Sequence, residues 1–269
     1  MVRFLSFSSG SCGNCSLLLT DSGESPAGLL IDAGVSMRRL KIIMSASGLS
    51  TDCIKGILVT HDHLDHIRHL GSFCKSLSLP VFATESLHAS LAVHPFTRDW
   101  IVPCRRVLRS GWQELTSGFE VRYFKVPHDA TDTVGFAIRT EGHRFLFMTD
   151  LGEVPGEAME LAGQADTIVI ESNYDIGMLL GGSYSYPLKM RISKGCGHLS
   201  NDDCAEAIRS FYHPGLRNLF LCHLSANNNT PRLAYDSAAR TLSEIGVPAG
   251  SVHLRILPRG EATPLLDLC

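Results

Sequence analysis

Apolar positions along the chain gather into short aliphatic and aromatic runs, separated by stretches where they recur at helical spacing. The runs predict strands: VRFLSF at 2–7, CSLLLT at 15–20, GLLID at 28–32, GILVT at 56–60 and PVFAT at 80–84. Further on they are FEVRYFKV at 119–126, TVGFAIRT at 133–140, RFLFMTD at 144–150, DTIVI at 166–170, NLFLCHL at 218–224 and SVHLRIL at 251–257. Helical spacing covers 36–47, where Met37, Leu40 and Met44 share a face, and then 65–77, 84–92, 202–212 and 232–245. Gly48 supplies a natural stop for the first. Between 80 and 150 strands follow one another through short turns, and Glu141-Gly142-His143 reads as a hairpin with Gly142 at positive φ. This is neither a pure βαβ series nor an all-β sandwich. With no linker, charge block or short repeat, it predicts an α/β (α+β) chain forming one domain over 1–269.

Composition narrows the classes. At 44% hydrophobic, 269 residues can bury a substantial core. A net charge of −3 supplies no global basic field, though a local basic groove stays open. No run reaches transmembrane length and the first residues carry no signal-peptide core, so a soluble, cytoplasmic protein with no membrane partner is expected. Nine scattered cysteines are not a disulfide framework.

The chemistry begins at VTHDHLDHIRHL, residues 59–70, with four histidines and two aspartates in twelve positions. GILVT runs straight into His61, and His61 and His63, two apart in an extended segment, point to one side. Asp65 and His66 then open a helix. Imidazoles and a carboxylate aimed at one volume suit zinc, or manganese with more oxygen ligands. Ligands this close in sequence do not readily close around one ion, so two ions completed from elsewhere are expected. Three other strands end in suitable residues: His128, Asp150 and His223. One arrangement uses every member: His61, His63 and His128 on one ion, Asp65, His66 and His223 on the other, and Asp150 bridging. His69 reads as a helix-face residue, and His88, His94, His143, His213 and His253 as structural.

T-H-D-H-L-D-H, the preceding I-D-A-G and the later His, Asp and His resemble the metallo-β-lactamase superfamily. S-G-S-C-G-N at 9–14, E-S-N-Y-D at 171–175, G-H-L-S-N at 197–201 and C-H-L-S-A-N-N-N-T-P at 222–231 resemble its YycJ/WalJ-type branch. The resemblance implies an αββα sandwich, two mixed β-sheets flanked by helices, with a dinuclear site at one edge. It implies the same ligand set and places Asp32 beneath the metals. It also implies 5′→3′ exonuclease action on DNA. Two metals with a bridging hydroxide suit in-line attack on phosphorus, with Asp65 orienting the hydroxide and Asp150 holding both ions, so both are catalytic candidates as well as ligands. His69 departs from the small residue common at its position in relatives.

Features outside the ligands favour a phosphodiester, and the branch resemblance puts DNA ahead of RNA as partner. His198, beside a helix start capped by Ser200 or Asn201, can answer charge on a phosphoryl group. In SYSYPLKMRISKGCGH, 183–198, Tyr184 and Tyr186 offer stacking surfaces and Lys189, Arg191 and Lys194 offer cations. Arg38, Arg39 and Lys41, and then Arg105, Arg106 and Arg109, extend such a groove. Ser11 and Asn14 in the glycine-rich loop, and Asn173 at a strand end, are further substrate-binding candidates. Cys12-x-x-Cys15 precedes a strand rather than a helix, which argues against redox chemistry. The competing functions are a small ester, thioester or lactone hydrolase on the same metals, and a non-catalytic nucleic-acid-binding protein with a structural metal.

Overall fold

The computed structural model describes residues 1–21, 25–116 and 118–268. The chain opens with β1 (Val2–Ser8), β2 (Cys15–Thr20) and β3 (Ala27–Ile31), then α1 (Met37–Ala46), β4 (Ile54–Leu58), α2 (Leu64–Ile67), α3 (Leu70–Leu77), β5 (Val81–Ala83), α4 (Glu85–Val93), α5 (Ile101–Cys104) and β6 (Arg105–Val107). It continues through β7 (Gln113–Thr116), β8 (Phe119–Lys125), β9 (Val134–Thr140), β10 (His143–Met148), α6 (Gly156–Ala162), β11 (Thr167–Glu171), α7 (Ile176–Gly181), α8 (Tyr186–Ser193) and α9 (Asn201–Phe211). It ends with β12 (Asn218–Cys222), α10 (Pro231–Glu244), β13 (His253–Ile256) and β14 (Leu266–Leu268).

Two mixed seven-stranded sheets result, ordered β14-β1-β2-β3-β4-β5-β6 and β13-β12-β11-β10-β9-β8-β7. Both follow one plan. An antiparallel meander (β1–β3, then β7–β10) leads into parallel crossovers (β3 to β6, then β10 to β13). Parallel strands need long return connections, and here most of those are helical.

Alternation along each strand divides the core into three layers. Phe4 and Leu18 face the second sheet, while Leu5, Phe7, Leu17 and Leu19 face α1, α3 and α4. In β10, Phe145 and Phe147 face inward, whereas Leu146 and Met148 pack under α6, α9 and α10. Phe4 meets Phe145 and Phe220 across the sheets at centroid separations of 5.5 and 5.6 Å. Covering on both faces explains why these strands read as continuous apolar runs. The architecture is the αββα sandwich.

Local chemistry sets the element ends. Ser36, Thr84, Ser200 and Thr230 cap α1, α4, α9 and α10 by accepting a backbone N–H three residues on. Glu141 and Gly142 both take positive φ in the two-residue turn that pairs Thr140 with His143. The helix expected over 65–77 is two helices. The backbone of Ala33 bonds to the His66 carbonyl and the His69 N–H, and His69 leaves helical geometry at φ −110°, ψ 3°. Periodicity also missed short exposed β6 and α8, which buries no residue and so carries no apolar stripe.

Candidate metal centre

Strand ends from both sheets converge at one edge. β4 leads through Val59-Thr60 to His61 and His63, the latter in extended geometry before α2, which presents Asp65 and His66. From the second sheet come His128 after β8, Asp150 after β10 and His223 after β12. Asp32, Asp150 and His223 all sit at left-handed φ, 63°, 52° and 53°. Non-glycine residues rarely hold that conformation, and such strain concentrates at functional sites.

Among the described residues four groups of donors result, each within 4.8 Å: His61/His63/His128, Asp65/His66/His223, His61/His66/Asp150 and Asp150/Glu171/His198/His223. Ring centroids of His61, His63 and His128 lie 4.7 to 5.2 Å apart. Asp150 faces both imidazole groups, Oδ2 3.1 Å from His66 Nε2 and Oδ1 3.9 Å from His128 Nε2. His69 belongs to none of these groups.

Each of the five candidate ligand imidazoles has one nitrogen committed elsewhere. His66 Nδ1 donates to Asp32 at 2.7 Å, His223 Nδ1 to Glu171 at 2.8 Å, and His128 Nδ1 to the Gly197 carbonyl at 2.8 Å. His61 Nδ1 donates to Thr60 Oγ1 at 3.0 Å, and that hydroxyl in turn donates to Asp32. His63 Nε2 faces the Asp129 carbonyl at 3.3 Å. These partners fix the tautomers and leave a lone pair from each ring for the centre. Among the described residues His61 Nε2 and His223 Nε2 are buried with no hydrogen-bond partner. A buried polar atom in that state costs about 1–3 kcal/mol. Divalent cations fit this donor set and would satisfy both atoms.

The electrostatics agree. Burial opposes a proton on His66, but the charges of Asp32, Asp150 and Asp65 outweigh it and push the imidazole up to about 10. Burial disfavours the charged form of Asp150, yet the His223 and His66 charges hold its carboxyl well below the usual range. His61, crowded by burial and by His66, is held well below the ordinary histidine value. The carboxylates therefore draw positive charge into the site, and metal binding would displace the protons that otherwise supply it.

Glu171, the last residue of β11, went unrecognised as a site residue from sequence. It is fully buried, and Oε1 accepts from Nδ1 of both His198 and His223 at 2.8 Å. Oε2 accepts the backbone N–H groups of Leu151 and Leu199. A carboxylate ending a parallel strand beside two others that end in Asp150 and His223 is the signal that could have exposed it. Burial lowers the His198 pKa, but the Glu171 charge and hydrogen bond outweigh that and raise it.

A cavity of about 280 Å³ opens over the centre, lined by Asp65, Asp150, His198 and His223 and by Tyr184, Leu188 and Ile192 around α8. Of the substrate-binding candidates, Ser11, Arg191 and His198 line it. Arg191 is committed to Asp129 through Nε at 2.6 Å. Lys189 turns away and donates to the Leu180 carbonyl. Asn14 and Asn173 are buried behind the ligands. The Asn14 amide meets Asp65 Oδ2 and His66 Nε2, and the Asn173 amide meets Glu171 and the His223 carbonyl, so both position ligand groups. Cys12 and Cys15 are free thiols.

Residues 28–223 match the β-lactamase superfamily domain. The chain is 32% identical over 249 residues to exodeoxyribonuclease YycJ of Bacillus anthracis, covering 93% of this chain and 92% of that protein. The chain belongs to the metallo-β-lactamase superfamily and is of the YycJ/WalJ type. Exodeoxyribonuclease WalJ of Streptococcus pneumoniae is 28% identical over 268 residues, 99% of this chain and 98% of the relative. Unliganded yeast PDE1 shares the fold at TM-score 0.71 and 17% identity, covering 99% of this chain and all (100%) of that one. Zn(2+)-bound PqqB from Methylobacterium extorquens does so at 0.70 and 16%, covering 97% and 99%. As a metallo-β-lactamase superfamily member with this donor set, the protein is a metal-dependent hydrolase whose site fits two divalent ions. Among the described residues no helix is long and apolar enough to cross a membrane.

Proposed function

We propose that this YycJ/WalJ-type protein is a dinuclear nuclease that removes nucleotides from the 5′ end of DNA. The observation that carries the reading is the cavity, in which the candidate ligand groups, a histidine anchored on the buried Glu171 and an apolar wall face one space. Its 280 Å³ lies near the lower end of small-ligand pockets, roughly 300–1,000 Å³, which suits a single terminal nucleotide. The exodeoxyribonuclease names of its relatives support DNA over RNA.

His61, His63 and His128 would hold one ion, Asp65, His66 and His223 the other, with Asp150 between them. Zinc and manganese both suit this mixture of imidazole and carboxylate. Bound there, the pair would supply Lewis acidity toward a phosphodiester and acidify water. The remaining work belongs to the chain. Glu171 anchors Nδ1 of His198 and sustains its proton, so Nε2 can donate to a phosphoryl or leaving oxygen. Asn14 fixes the orientation of Asp65. Tyr184, Leu188 and Ile192 offer a surface for the terminal sugar and base, and the Arg191–Asp129 pair fastens α8 beside them.

The test uses 5′-phosphorylated, end-labelled single- and double-stranded DNA with manganese or zinc. Wild type should release mononucleotides stepwise, Asp150→Ala should release none, and His198→Ala should be slowed about 100-fold or more. Absence of cleavage of either DNA or RNA by metal-loaded wild type overturns the reading and directs attention to small esters and thioesters.

A further inference from the structure

A strand whose 5′ nucleotide fills the cavity must run out past its rim. The loop Ser8–Asn14 forms part of that rim through Ser11. The same loop is bolted to Arg259. The Arg259 carbonyl accepts from Ser8 Oγ at 2.5 Å and from the Cys12 thiol at 3.2 Å. The aliphatic stem of Arg259 lies on Gly10, where a Cβ would come within 3.1 Å of Arg259 Cγ. The first glycine of the S-G-S-C-G-N stretch thus makes room for an arginine stem.

Arg259 lines a second cavity, of about 470 Å³, with Ser225, Thr230 and Glu261. Leu224, which directly follows the ligand His223, lines it too. The Ser225 N–H is tied to the Asn173 carbonyl, so this wall is continuous with the metal centre's own scaffold. Neighbouring Gly260 is held by Arg39, which donates to its carbonyl and to that of Phe7. Among the described residues the Arg259 guanidinium has no hydrogen-bond or ion-pair partner, and it forms no ion pair with Glu261 in the same cavity. A fixed stem with an unspent, planar, five-donor head is what recognition of a phosphate group uses.

We propose that Arg259 forms a phosphate subsite for the substrate strand, contacting a phosphodiester downstream of the scissile bond. The ligand is the backbone of single-stranded nucleic acid, and the subsite rests on the nuclease reading above. It gives the enzyme a grip on polymers that a small diester does not feel.

The experiment compares wild type, Arg259→Gln and Arg259→Lys on a 5′-phosphorylated single-stranded oligonucleotide and on bis(p-nitrophenyl) phosphate, across a salt series. Glutamine keeps the backbone carbonyl and much of the stem over Gly10 while removing the charge. Arg259→Gln should raise the oligonucleotide KM about tenfold. It should also reduce the slope of log kcat/KM against log salt by about 0.7. Arg259→Lys should restore most of the salt slope. Turnover of the small diester reports whether the metal centre is intact. If wild type cleaves the small diester but no oligonucleotide, the nuclease reading falls and the subsite with it. If wild type cleaves both and Arg259→Gln matches it in KM and salt slope, the subsite alone falls.

Discussion

Replacing Glu171 by glutamine removes one acceptor from a group that serves five donors. Oε1 takes the His198 and His223 Nδ1 protons at 2.8 Å and the Asn173 amide at 3.2 Å, while Oε2 takes the Leu151 and Leu199 N–H groups at 3.0 and 3.3 Å. The two backbone donors cannot move, so the amide oxygen should stay with them and the new NH2 should face the imidazoles. Each buried donor left opposite a donor costs about 1–3 kcal/mol. The rings can escape by shifting the proton to Nε2, but for His223 that removes the lone pair aimed at the centre. Affinity for the ion on that side should fall roughly 10–100-fold. His198 loses both its anchor and the charge that sustains its proton, so kcat should fall about 100-fold or more even with metal in excess. Calorimetric manganese titration and turnover of bis(p-nitrophenyl) phosphate at saturating metal separate the two effects. Excess metal should rescue the first and not the second. Metal affinity and saturating kcat both within about threefold of wild type, in a protein with wild-type circular dichroism, would refute the reasoning, since that is under 1 kcal/mol.

Asp32→Ala should cost about 2–4 kcal/mol in urea unfolding and weaken metal binding, because Thr60 N–H, Thr60 Oγ1 and His66 Nδ1 all lose a buried acceptor. Gly34→Ala should lower both the melting temperature and the bound metal measured by elemental analysis, since its Cβ would fall 1.7 Å from the Asp65 carbonyl oxygen and 2.5 Å from Asn14 N. Asp132 provides a pH test away from the metals: burial raises its carboxyl, but hydrogen bonds from Lys125, Ser86 and Thr84 outweigh that and hold it below its usual range. The sign follows: its stabilisation is complete above the ordinary carboxylate pKa of about 3.9 and is lost as pH falls through the lower folded value. Asp132→Asn should therefore be less stable than wild type at neutral pH, by no more than about 1 kcal/mol because solvent screens its exposed Lys125 partner, with the gap closing in denaturant titrations below about pH 4.

The residues that converge as candidate ligands were legible because a metal site imposes a pattern no core requires: H-x-H-x-D-H directly after an apolar strand, joined by single histidines and an aspartate at later strand ends. Glu171 was hidden by ordinariness, as one carboxylate closing a strand, with nothing local to show that two histidines 27 and 52 positions away share it. Asn14 and Asn173 are polar residues beside glycines and strand ends, and sequence cannot tell an amide facing substrate from one facing a ligand. The segment 183–198 was read by composition as a basic, aromatic channel. Its helix α8 escaped notice because it packs no buried face, and its arginine is spent on Asp129, a partner 62 residues earlier.

Burial of the centre bears on how its metal is chosen. His61, His66, Asp150 and His223 are 0, 0, 2 and 5% exposed, so an ion held among them meets solvent through the cavity walled by α8. Release then requires several ligands to let go together beneath that wall, and exchange with free ions becomes slow. An ion captured as the chain folds should then be slow to leave, whatever the equilibrium order of affinities. Metal content should then reflect the medium in which the protein folded, and rapid exchange of one divalent ion for another in the folded protein would contradict this.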